Sequence, residues 1–513
     1  MKLLVFCTFG VFFVGVLSAQ PTIQWQKAFG GSLYDEPRSI LQTVDAGYIV
    51  AGYTLSDDGD VVGNYGFNDF WLLKLDSIGE VQWKKAFGGS NHDRAFEIDL
   101  TKDGGYILVG LTKSNDGDVS GNHGDYDAWV LKLDSLGGIQ WQKCIGGSGW
   151  EEAWDVQQTT DGGYIVTGRS GSTDGDLTVN HGLSDFWVVK LNVYGVLVWQ
   201  KSLGGSGLDI GYAIDQTSDG GYIIAGESQS DDYDVTSNQG NSDYWVVKLN
   251  FEGKIEWERS YGGSALDRAN DIQQTREGGY IVFGQSASNN GDVTGAHGNY
   301  DNWAVKLSAS GDIEWQKALG GTNEDFGQSI QQTIDDGYIL IGFTSSINGD
   351  VVGNNGGKDF WLVKLTETGN LEWQKTLGGT DQERGFSIQQ TTDLGYIIAG
   401  EAWSNNGDVS GVHGYNDFWI VKLSPESSPT TEVDIQVLQI YPNPATSTIT
   451  IKIPDEELTL SIQITDLLGQ ILSHQTVSTN QPIDLSTLPN GLYLLSATTP
   501  TGTVFSGKFS KQD

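Results

Sequence analysis

The chain has 513 residues, with 29 Lys plus Arg against 66 Asp plus Glu, and a formal net charge of −37. A surface this acidic repels phosphate backbones and anionic lipid, which argues against nucleic acid and membrane surfaces as partners. The same charge favours solubility and suits hard cations such as calcium.

The N-terminus has the features of a secretory signal peptide. A basic start, Met1-Lys2, is followed by an apolar run over residues 3–17 and by Ser18-Ala19-Gln20. This pattern predicts a signal peptide at residues 1–19, with cleavage after Ala19. The apolar run is too short for a membrane span, so we expect no transmembrane segment in the mature chain.

Residues 20–424 consist of one 58-residue unit that is repeated seven times. One tryptophan of each unit marks the period: Trp71, Trp129, Trp187, Trp245, Trp303, Trp361 and Trp419. Each unit divides into four short strand-like runs separated by Gly and Asp turns. A period above 40 residues with this content predicts an all-β fold, a seven-bladed β-propeller. A parallel β-solenoid is the alternative, although solenoid coils are usually shorter.

Loop lengths predict how the strands are grouped into blades. The longest loop of the second unit runs from Thr112 to Tyr126, and we expect it to cross from one blade to the next. The D-x-W strand would then be the innermost strand of each blade. The ring would close by pairing the N- and C-terminal strands of the array, with residues 23–54 supplying three strands and residues 418–423 a lone inner strand.

Residues that are identical in every unit indicate a shared structural role. The D-x-W tryptophans are expected to fill the space between blades, and each faces a small residue in the proposed hairpin, such as Ala86 opposite Trp71. The mature chain keeps one cysteine, Cys144, and therefore has no internal disulfide. Because other units hold Ala, Ser or Thr there, Cys144 is interpreted as a small buried residue.

The long loop contains acidic residues at a spacing that calcium loops use. Alternate oxygen side chains flank a glycine in each unit, and the first three units carry Asp58, Asp60, Asp116, Asp118, Asp174 and Asp176. The same residues are also common in turns that cap their own backbone. Structural calcium and self-capped turns therefore both remain open, and no other cofactor is indicated. His123, His181, His297 and His413 share one loop position and are interpreted as surface residues.

Departures from the repeat are candidates for a unique site. Trp150 and Trp403 stand where the other units carry varied residues, and exposed loop tryptophans stack on sugar rings. Additional core packing is the alternative role for both. No nucleophile–base pair, Cys/His cluster or phosphate loop is present, so no catalytic residue is assigned and the chain is not expected to be an enzyme.

The tail differs in composition from the repeats. Residues 425–435 are rich in Ser, Pro and Thr and predict a linker, and residues 436–513 alternate as in a small Ig-like β-sandwich. Three motifs occur in order: Tyr441-Pro442-Asn443-Pro444, then Gly469 within residues 466–470, then Asn490-Gly491-Leu492-Tyr493, with Lys508 near the end. Together they resemble the type A C-terminal sorting domain of the type IX secretion system.

That resemblance implies a partner and a location. The partner is the type IX secretion machinery, and the destination is the extracellular space or the outer surface of a Gram-negative cell. We therefore expect a secreted or cell-surface, non-catalytic binding or adhesion protein whose ligand is a surface polysaccharide or a protein. The alternatives are a glycan-active enzyme with paired carboxylates in the propeller funnel and a purely structural surface component.

Overall fold

A computed structural model describes residues 20–426, 436–437, 439–452, 459–465, 471–479, 481–499 and 504–512. The chain divides into two compact units, with the division at residues 427 and 428. The described residues contain strands and turns but no helix, so none of them forms a helix of the length and apolar character that a membrane crossing requires. The predicted signal peptide with Ala19, residues 427–435 of the linker, and Gly469 lie outside the described residues.

Residues 20–426 form seven four-stranded antiparallel sheets around a central channel. The innermost strands are β2 (Asp35–Gln42), β6 (Asp93–Leu100), β10 (Glu151–Gln158), β14 (Asp209–Gln216), β18 (Asp267–Gln274), β22 (Asp325–Gln332) and β26 (Glu383–Gln390). The second strands are β3 (Tyr48–Thr54), β7 (Tyr106–Thr112), β11 (Tyr164–Ser170), β15 (Tyr222–Ser228), β19 (Tyr280–Ser286), β23 (Tyr338–Thr344) and β27 (Tyr396–Ala402).

The outer half of each sheet follows the same pattern. The third strands are β4 (Asp69–Leu75), β8 (Asp127–Leu133), β12 (Asp185–Leu191), β16 (Asp243–Leu249), β20 (Asp301–Leu307), β24 (Asp359–Leu365) and β28 (Asp417–Leu423). The outermost strands are β5 (Val81–Phe87), β9 (Ile139–Ile145), β13 (Leu197–Leu203), β17 (Ile255–Tyr261), β21 (Ile313–Leu319), β25 (Leu371–Leu377) and β1 (Ile23–Phe29).

The sheets follow one another in a closed ring. Neighbouring inner strands contact each other in chain order, and β26 contacts β2. The last sheet is completed by β1, which pairs antiparallel with β28 and places Ala28 opposite Trp419. Closure by the N- and C-terminal strands of the array is therefore confirmed. Because of this closure, the first and the last strand of the array pair with each other.

The predicted grouping of strands is wrong in one respect. The D-x-W strand is the third strand of its sheet, and the strand that begins at Asp93 in the second unit is innermost. The reason is that the long loop returns to its own sheet. The Asn64 side-chain amide donates to the carbonyl oxygens of Ser56 (3.0 Å) and Phe67 (3.1 Å), which holds the ends of the loop together, so β3 and β4 pair as a hairpin.

The crossing between sheets is made by a short Gly-Gly segment after the outermost strand. A Cβ atom at Gly88 would lie 2.4 Å from Asp69 Oδ1 and 2.7 Å from Asp93 Oδ2, so only glycine fits between these two buried carboxylates. With this grouping, the last sheet takes three strands from the C-terminal end of the array and its outermost strand from the N-terminal end. This is the reverse of the predicted division.

The D-x-W tryptophans pack between adjacent sheets, as predicted. Trp129 is fully buried, its ring centroid lies 4.5 Å from that of Phe70 in the preceding sheet, and it faces Cys144 in register. Trp71 has the same position opposite Ala86. Cys144 is 2% exposed, and burial raises the pKa of its thiol to about 12, which confirms its role as a small packing residue.

The indole N–H of this tryptophan is hydrogen-bonded in six sheets. Trp129 Nε1 donates to Gln142 Oε1 at 2.9 Å, and the acceptors in the other five sheets are Gln200, Glu258, Gln316, Gln374 and Gln26. In the first sheet the corresponding residue is Lys84, which cannot accept. Trp71 Nε1 is buried and has no hydrogen-bond partner among the described residues.

A buried lysine in each sheet is paired with an acidic residue of the first turn. Lys74 Nζ lies 2.9 Å from Asp45 Oδ2 and donates to the Leu75 carbonyl oxygen at 3.1 Å. Burial alone would raise the pKa of Asp45, but hydrogen bonds from Thr43 and Lys74 lower it to about 2. The invariant lysine thus links the third strand to the turn between the first and second strands.

The second unit contains two sheets. Its strands are β29 (Gln436–Val437), β30 (Gln439–Tyr441), β31 (Thr448–Lys452), β32 (Thr459–Thr465), β33 (Ile471–Ser478), β34 (Pro482–Asp484), β35 (Gly491–Thr498) and β36 (Val504–Lys511). One sheet has the order β29-β36-β35-β32-β33 and the other β30-β31-β34. Alternating residues of β31 and β32, such as Ile449, Ile451 and Ile462, are fully buried in its core.

Candidate ligand-binding site

The candidate site lies at one end of the central channel, which we call the mouth: the end at which the innermost strands begin. One residue of every sheet, the fourth of its innermost strand, lines a cavity of about 350 Å³ there. These seven residues are Arg38, Phe96, Trp154, Tyr212, Asn270, Gln328 and Phe386. Glu97 and Arg268 complete the lining. A strict repeat thus carries six different residue types at one structural position.

Three of the aromatic rings form a continuous shelf along the cavity wall. Phe96 and Trp154 stack with centroids 4.2 Å apart and an interplanar angle of 10°. Tyr212 meets Trp154 edge-on at 5.2 Å. Aromatic walls with a few convergent polar groups are typical of small-molecule sites. In this cavity the aromatic residues are joined by two arginines, one carboxylate and two amides.

The mouth concentrates arginine in a chain that has very little of it. Only seven arginines occur in the sequence. Five of them lie in the first two strands of their sheets at or beside the mouth: Arg38, Arg94, Arg169, Arg268 and Arg384. Three of these five are paired with carboxylates, Arg38 with Glu36, Arg169 with Glu152 and Arg384 with Glu401.

Arg268 differs from these three because its fixed partners are neutral. Its guanidinium carbon lies 5.2 Å from the centre of the Tyr212 ring. With the Gln285 amide oriented to accept, the Gln285 oxygen lies 2.9 Å from Arg268 Nε and 3.0 Å from Nη2. Arg94 has a similar environment over Tyr53, with Asn68 Oδ1 as acceptor, but does not line the cavity.

Trp150, one of the predicted ligand residues, lies on the rim of the mouth. It is 44% exposed and stacks on Tyr126 at 4.8 Å. Its Nε1 donates to Glu152 Oε1 at 2.9 Å, while Glu152 Oε2 accepts from Trp154 Nε1 at 3.2 Å. Glu152 also binds Arg169 Nε at 2.9 Å. The buried Glu152 therefore ties the rim tryptophan to the cavity wall.

Trp403, the other predicted ligand residue, belongs to a different part of the rim. It contacts Tyr34 with centroids 5.7 Å apart, and Tyr34 stacks in parallel on Tyr415 at 4.9 Å. Neither Trp150 nor Trp403 lines the cavity. The structure therefore places the two residues in separate aromatic clusters, beside the site and not within it.

A belt of polar side chains lies deeper in the channel and lines a second cavity of about 240 Å³. Its carboxylates cap backbone N–H groups of the next inner strand, which has no further strand on its channel side. Asp155 Oδ2 accepts from Ile214 N at 2.7 Å, and Asp271 Oδ2 accepts from Ile330 N at 2.8 Å. Desolvation raises the pKa of Asp155 to about 7 and that of Asp271 to about 6.

Glu97 lies between the two cavities and lines both. Its carboxylate accepts from the Ser39 hydroxyl and from Ile98 N, the latter at 3.1 Å. Burial and the nearby charge of Asp155 raise the pKa of Glu97 well above its usual value. Glu97 is thus a carboxyl group at the base of the mouth whose pKa lies above that of a free glutamate.

The aspartates of the predicted calcium loops bind backbone N–H groups. Asp58, Asp116 and Asp174 accept from the backbone N–H of Ser32, Ser90 and Ser148, at 2.7, 2.8 and 2.7 Å. The second aspartates, Asp60 and Asp118, face Gly30 N and Gly88 N at 3.5 and 3.4 Å, and Asp176 Oδ2 has no hydrogen-bond partner among the described residues. No group of three or more acidic, His or Cys side chains placed to hold a metal occurs in the described part of the chain.

The loop histidines have a structural role that the sequence did not suggest. His123 Nδ1 lies 2.7 Å from Asp127 Oδ2, and its Nε2 lies 3.9 Å from Asp176 Oδ2 in the next sheet. Where the repeat has glutamine instead, Gln239 Nε2 donates to Asp292 Oδ2 at 2.7 Å. This loop position therefore bridges the D-x-W aspartate and the aspartate of the following long loop.

The sorting-motif residues hold together the strands of the second unit. Asn443 Nδ2 donates to the Lys508 carbonyl oxygen, and Asn443 Oδ1 accepts from Ser510 N, both at 3.0 Å. The Tyr493 hydroxyl donates to the Pro489 carbonyl oxygen at 2.6 Å, and its ring is 5% exposed. Gly491 begins β35, and Asn490 immediately precedes it. Tyr441 ends β30, and Pro442 and Pro444 lie in the segment that joins β30 to β31. Lys508 lies in β36 with its side chain exposed.

Comparison with protein families identifies this second unit. Residues 439–511 match the model of the secretion system C-terminal sorting domain. The tail is a sorting domain. It directs the chain through the type IX secretion machinery to the extracellular space or the outer surface of a Gram-negative bacterium. The resemblance of the three motifs is thereby confirmed.

Solved structures similar to the chain are distant. The WD40 domain of Pan2 from Neurospora crassa is 10% identical, with a TM-score of 0.44, and the match covers 81% of this chain and 97% of that one. Sqt1 from Chaetomium thermophilum is 11% identical, with a TM-score of 0.40 and coverages of 80% and 100%. Puromycin hydrolase is 10% identical, with a TM-score of 0.43 and coverages of 96% and 63%. No curated protein matches the chain.

The residues of the mouth were missed by sequence reasoning, which searched for unusual tryptophans in loops. The sequence does contain a pattern that marks these residues. At the fourth position of the inner strand, a repeat that is otherwise strict holds Arg, Phe, Trp, Tyr, Asn, Gln and Phe in turn. Recognising this variation as a site requires knowing which strand lines the channel. The predicted grouping placed the D-x-W strand there instead.

Proposed function

We propose that the protein is a secreted or surface-held glycan-binding protein without catalytic activity, built as a closed seven-bladed propeller that the Ig-like sorting domain delivers. The observation that carries the proposal is the mouth cavity. Its aromatic wall offers apolar ring faces, and its amides, carboxylate and arginines offer hydrogen bonds. A sugar has the matching composition, because its ring faces are apolar and its edge carries hydroxyl groups.

The size of the cavity limits how a glycan enters. Ligand cavities range from about 300 to 1,000 Å³, and the mouth has about 350 Å³. We therefore infer that the cavity takes one or two terminal sugar residues, while the remainder of a longer chain lies over the rim. Trp150 is exposed at that rim and is positioned by the same Glu152 that holds Trp154, so it would contact the sugars that follow.

The test is binding of the full chain to a broad array of immobilised glycans. The variant Trp154→Ala removes the centre of the aromatic shelf, and we expect it to lose at least tenfold in affinity. Trp403→Ala is the matched control, because it removes a tryptophan of the same face that does not line the cavity. Thermal unfolding of each variant establishes that it is folded.

Two results would contradict this proposal. Equal loss of binding in the Trp154 and Trp403 variants would move the site to the rim. An array without any bound glycan would favour a protein ligand or a structural role at the cell surface, which are the remaining alternatives.

A glycan-active enzyme is the second candidate, and Glu97 is the observation that favours it. A carboxyl group with a raised pKa beside a sugar-sized cavity has the property of a general acid. We nevertheless infer binding without hydrolysis, because the Glu97 carboxylate is occupied by Ser39 and by a backbone N–H. Hydrolysis of a polysaccharide panel by the full chain, abolished in Glu97→Gln but retained in Asp99→Asn, would overturn this inference.

A further inference from the structure

We propose that the ligand carries a carboxylate and that Arg268 binds it at the mouth of the channel. This inference rests on the proposed function and specifies the sugar: an acidic one, of the uronic acid class. It starts from the distribution of arginine, since five of the seven arginines in a chain of net charge −37 lie in one region.

The pairing of these arginines singles out Arg268. Two arginines line the cavity, and the charge of Arg38 is already compensated by Glu36. Among the described residues, no carboxylate oxygen forms an ion pair with Arg268; its guanidinium is held by the Tyr212 ring and the Gln285 amide. Both partners orient the guanidinium without neutralising it. A partly buried cation that has no counter-ion is stabilised when an anionic ligand pairs with it.

The geometry of the guanidinium suits a carboxylate. A guanidinium presents its N–H groups as a planar fork that matches the two oxygens of a carboxylate. The Gln285 oxygen accepts from Nε and Nη2, and no described residue is an acceptor for Nη1, so Nη1 is left for a ligand in the cavity that Arg268 lines.

The experiment uses pairs of methyl glycosides that differ only at C6: glucuronide and glucoside, galacturonide and galactoside, mannuronide and mannoside. Their affinities for the full chain are measured by calorimetry at two salt concentrations. We expect at least one acid to bind at least tenfold tighter than its neutral partner, since a charge-assisted hydrogen bond contributes about that factor. In Arg268→Gln this preference should disappear, so that the acid and its neutral partner bind with equal affinity.

Three other arginines provide controls with the same change of charge. Arg259→Gln and Arg276→Gln remove arginines outside the mouth, which pair with Asp312 and Asp336. Arg94→Gln removes an uncompensated arginine of similar environment that does not line the cavity. All three variants should keep the preference for the acid. Arg268→Lys retains the positive charge but lacks the planar N–H fork, so it should keep only part of the preference for the acid.

The outcomes separate this inference from the proposed function. If neutral and acidic sugars bind equally and both need Trp154, the glycan-binding function stands and the role of Arg268 is refuted. If the preference for acid falls equally in Arg94→Gln and Arg268→Gln, it reflects the general field of the mouth, and the inference is again refuted. If no sugar of either kind binds, both the inference and the proposed function fail.

Discussion

The substitution Lys84→Gln is expected to stabilise the propeller, because it supplies the one acceptor missing from a repeated hydrogen bond. In six sheets the D-x-W indole N–H is bound by a Gln or Glu of the outermost strand, as Trp129 is by Gln142 at 2.9 Å. In the first sheet Lys84 occupies that place, and the Trp71 N–H is buried without a partner. An unsatisfied buried donor costs about 1–3 kcal/mol.

The substitution also removes a favourable contact, which must be subtracted. Lys84 Nζ lies 3.2 Å from Asp60 Oδ1, with the two side chains 29% and 30% exposed. Pairs of this kind contribute about 0–1 kcal/mol. The expected net gain is therefore about 1 kcal/mol in the free energy of unfolding. Lys201→Gln, which replaces a lysine of another outermost strand, is the control and should change stability by less than about 0.5 kcal/mol.

Denaturant unfolding followed by tryptophan fluorescence measures this gain selectively. All 17 tryptophans lie between residues 25 and 419, so the signal comes from the propeller and not from the sorting domain. The decisive comparison repeats Lys84→Gln in a Trp71→Phe background, where no indole N–H remains to be satisfied. The gain should vanish there. A gain of the same size in both backgrounds would refute the hydrogen-bond explanation.

Three further predictions concern the channel, the long loops and the tail. Desolvation raises the pKa of Asp155 to about 7, so the folded state holds a proton that the unfolded state releases. The denaturant midpoint should therefore fall as the pH rises from about 4 to 7. Asp155→Asn should reduce this fall. Because Asp116 binds the Ser90 N–H, EDTA should leave the midpoint unchanged; a lower midpoint that calcium restores would assign a calcium site there. Asn443→Ala removes two hydrogen bonds to β36 and should lower the fraction of chain outside the cell, as measured by fractionation; unchanged export would contradict a structural role for this motif residue.

Local and periodic features of the fold could be predicted from the sequence. A constant period of 58 residues with four short runs per unit predicts sheets of four strands, because the runs are separated by Gly and Asp turns and are too short for helices. The pairing of Trp71 with Ala86 could also be predicted, since a tight turn sets the register of the two strands it joins. The sorting domain could also be recognised from the sequence, because each of its three motifs is a short run of neighbouring residues.

The order of strands from channel to rim was decided only by tertiary structure. Loop length suggested that the long loop crosses between sheets, but its own hydrogen bonds, such as those of Asn64, bring its ends together. The short Gly-Gly segment can cross because its glycines fit between buried carboxylates.

The candidate site depends on that order, so its residues could not be assigned to the channel from the sequence alone. Its residues are 58 positions apart in the chain and meet only when the ring closes, as Arg38 and Phe386 do across the seam between the last sheet and the first. Spacing along the chain determined that each repeat supplies four strands. Which side chains share the channel was determined by closure of the ring, because contacts between sheets depend on which strand faces inward.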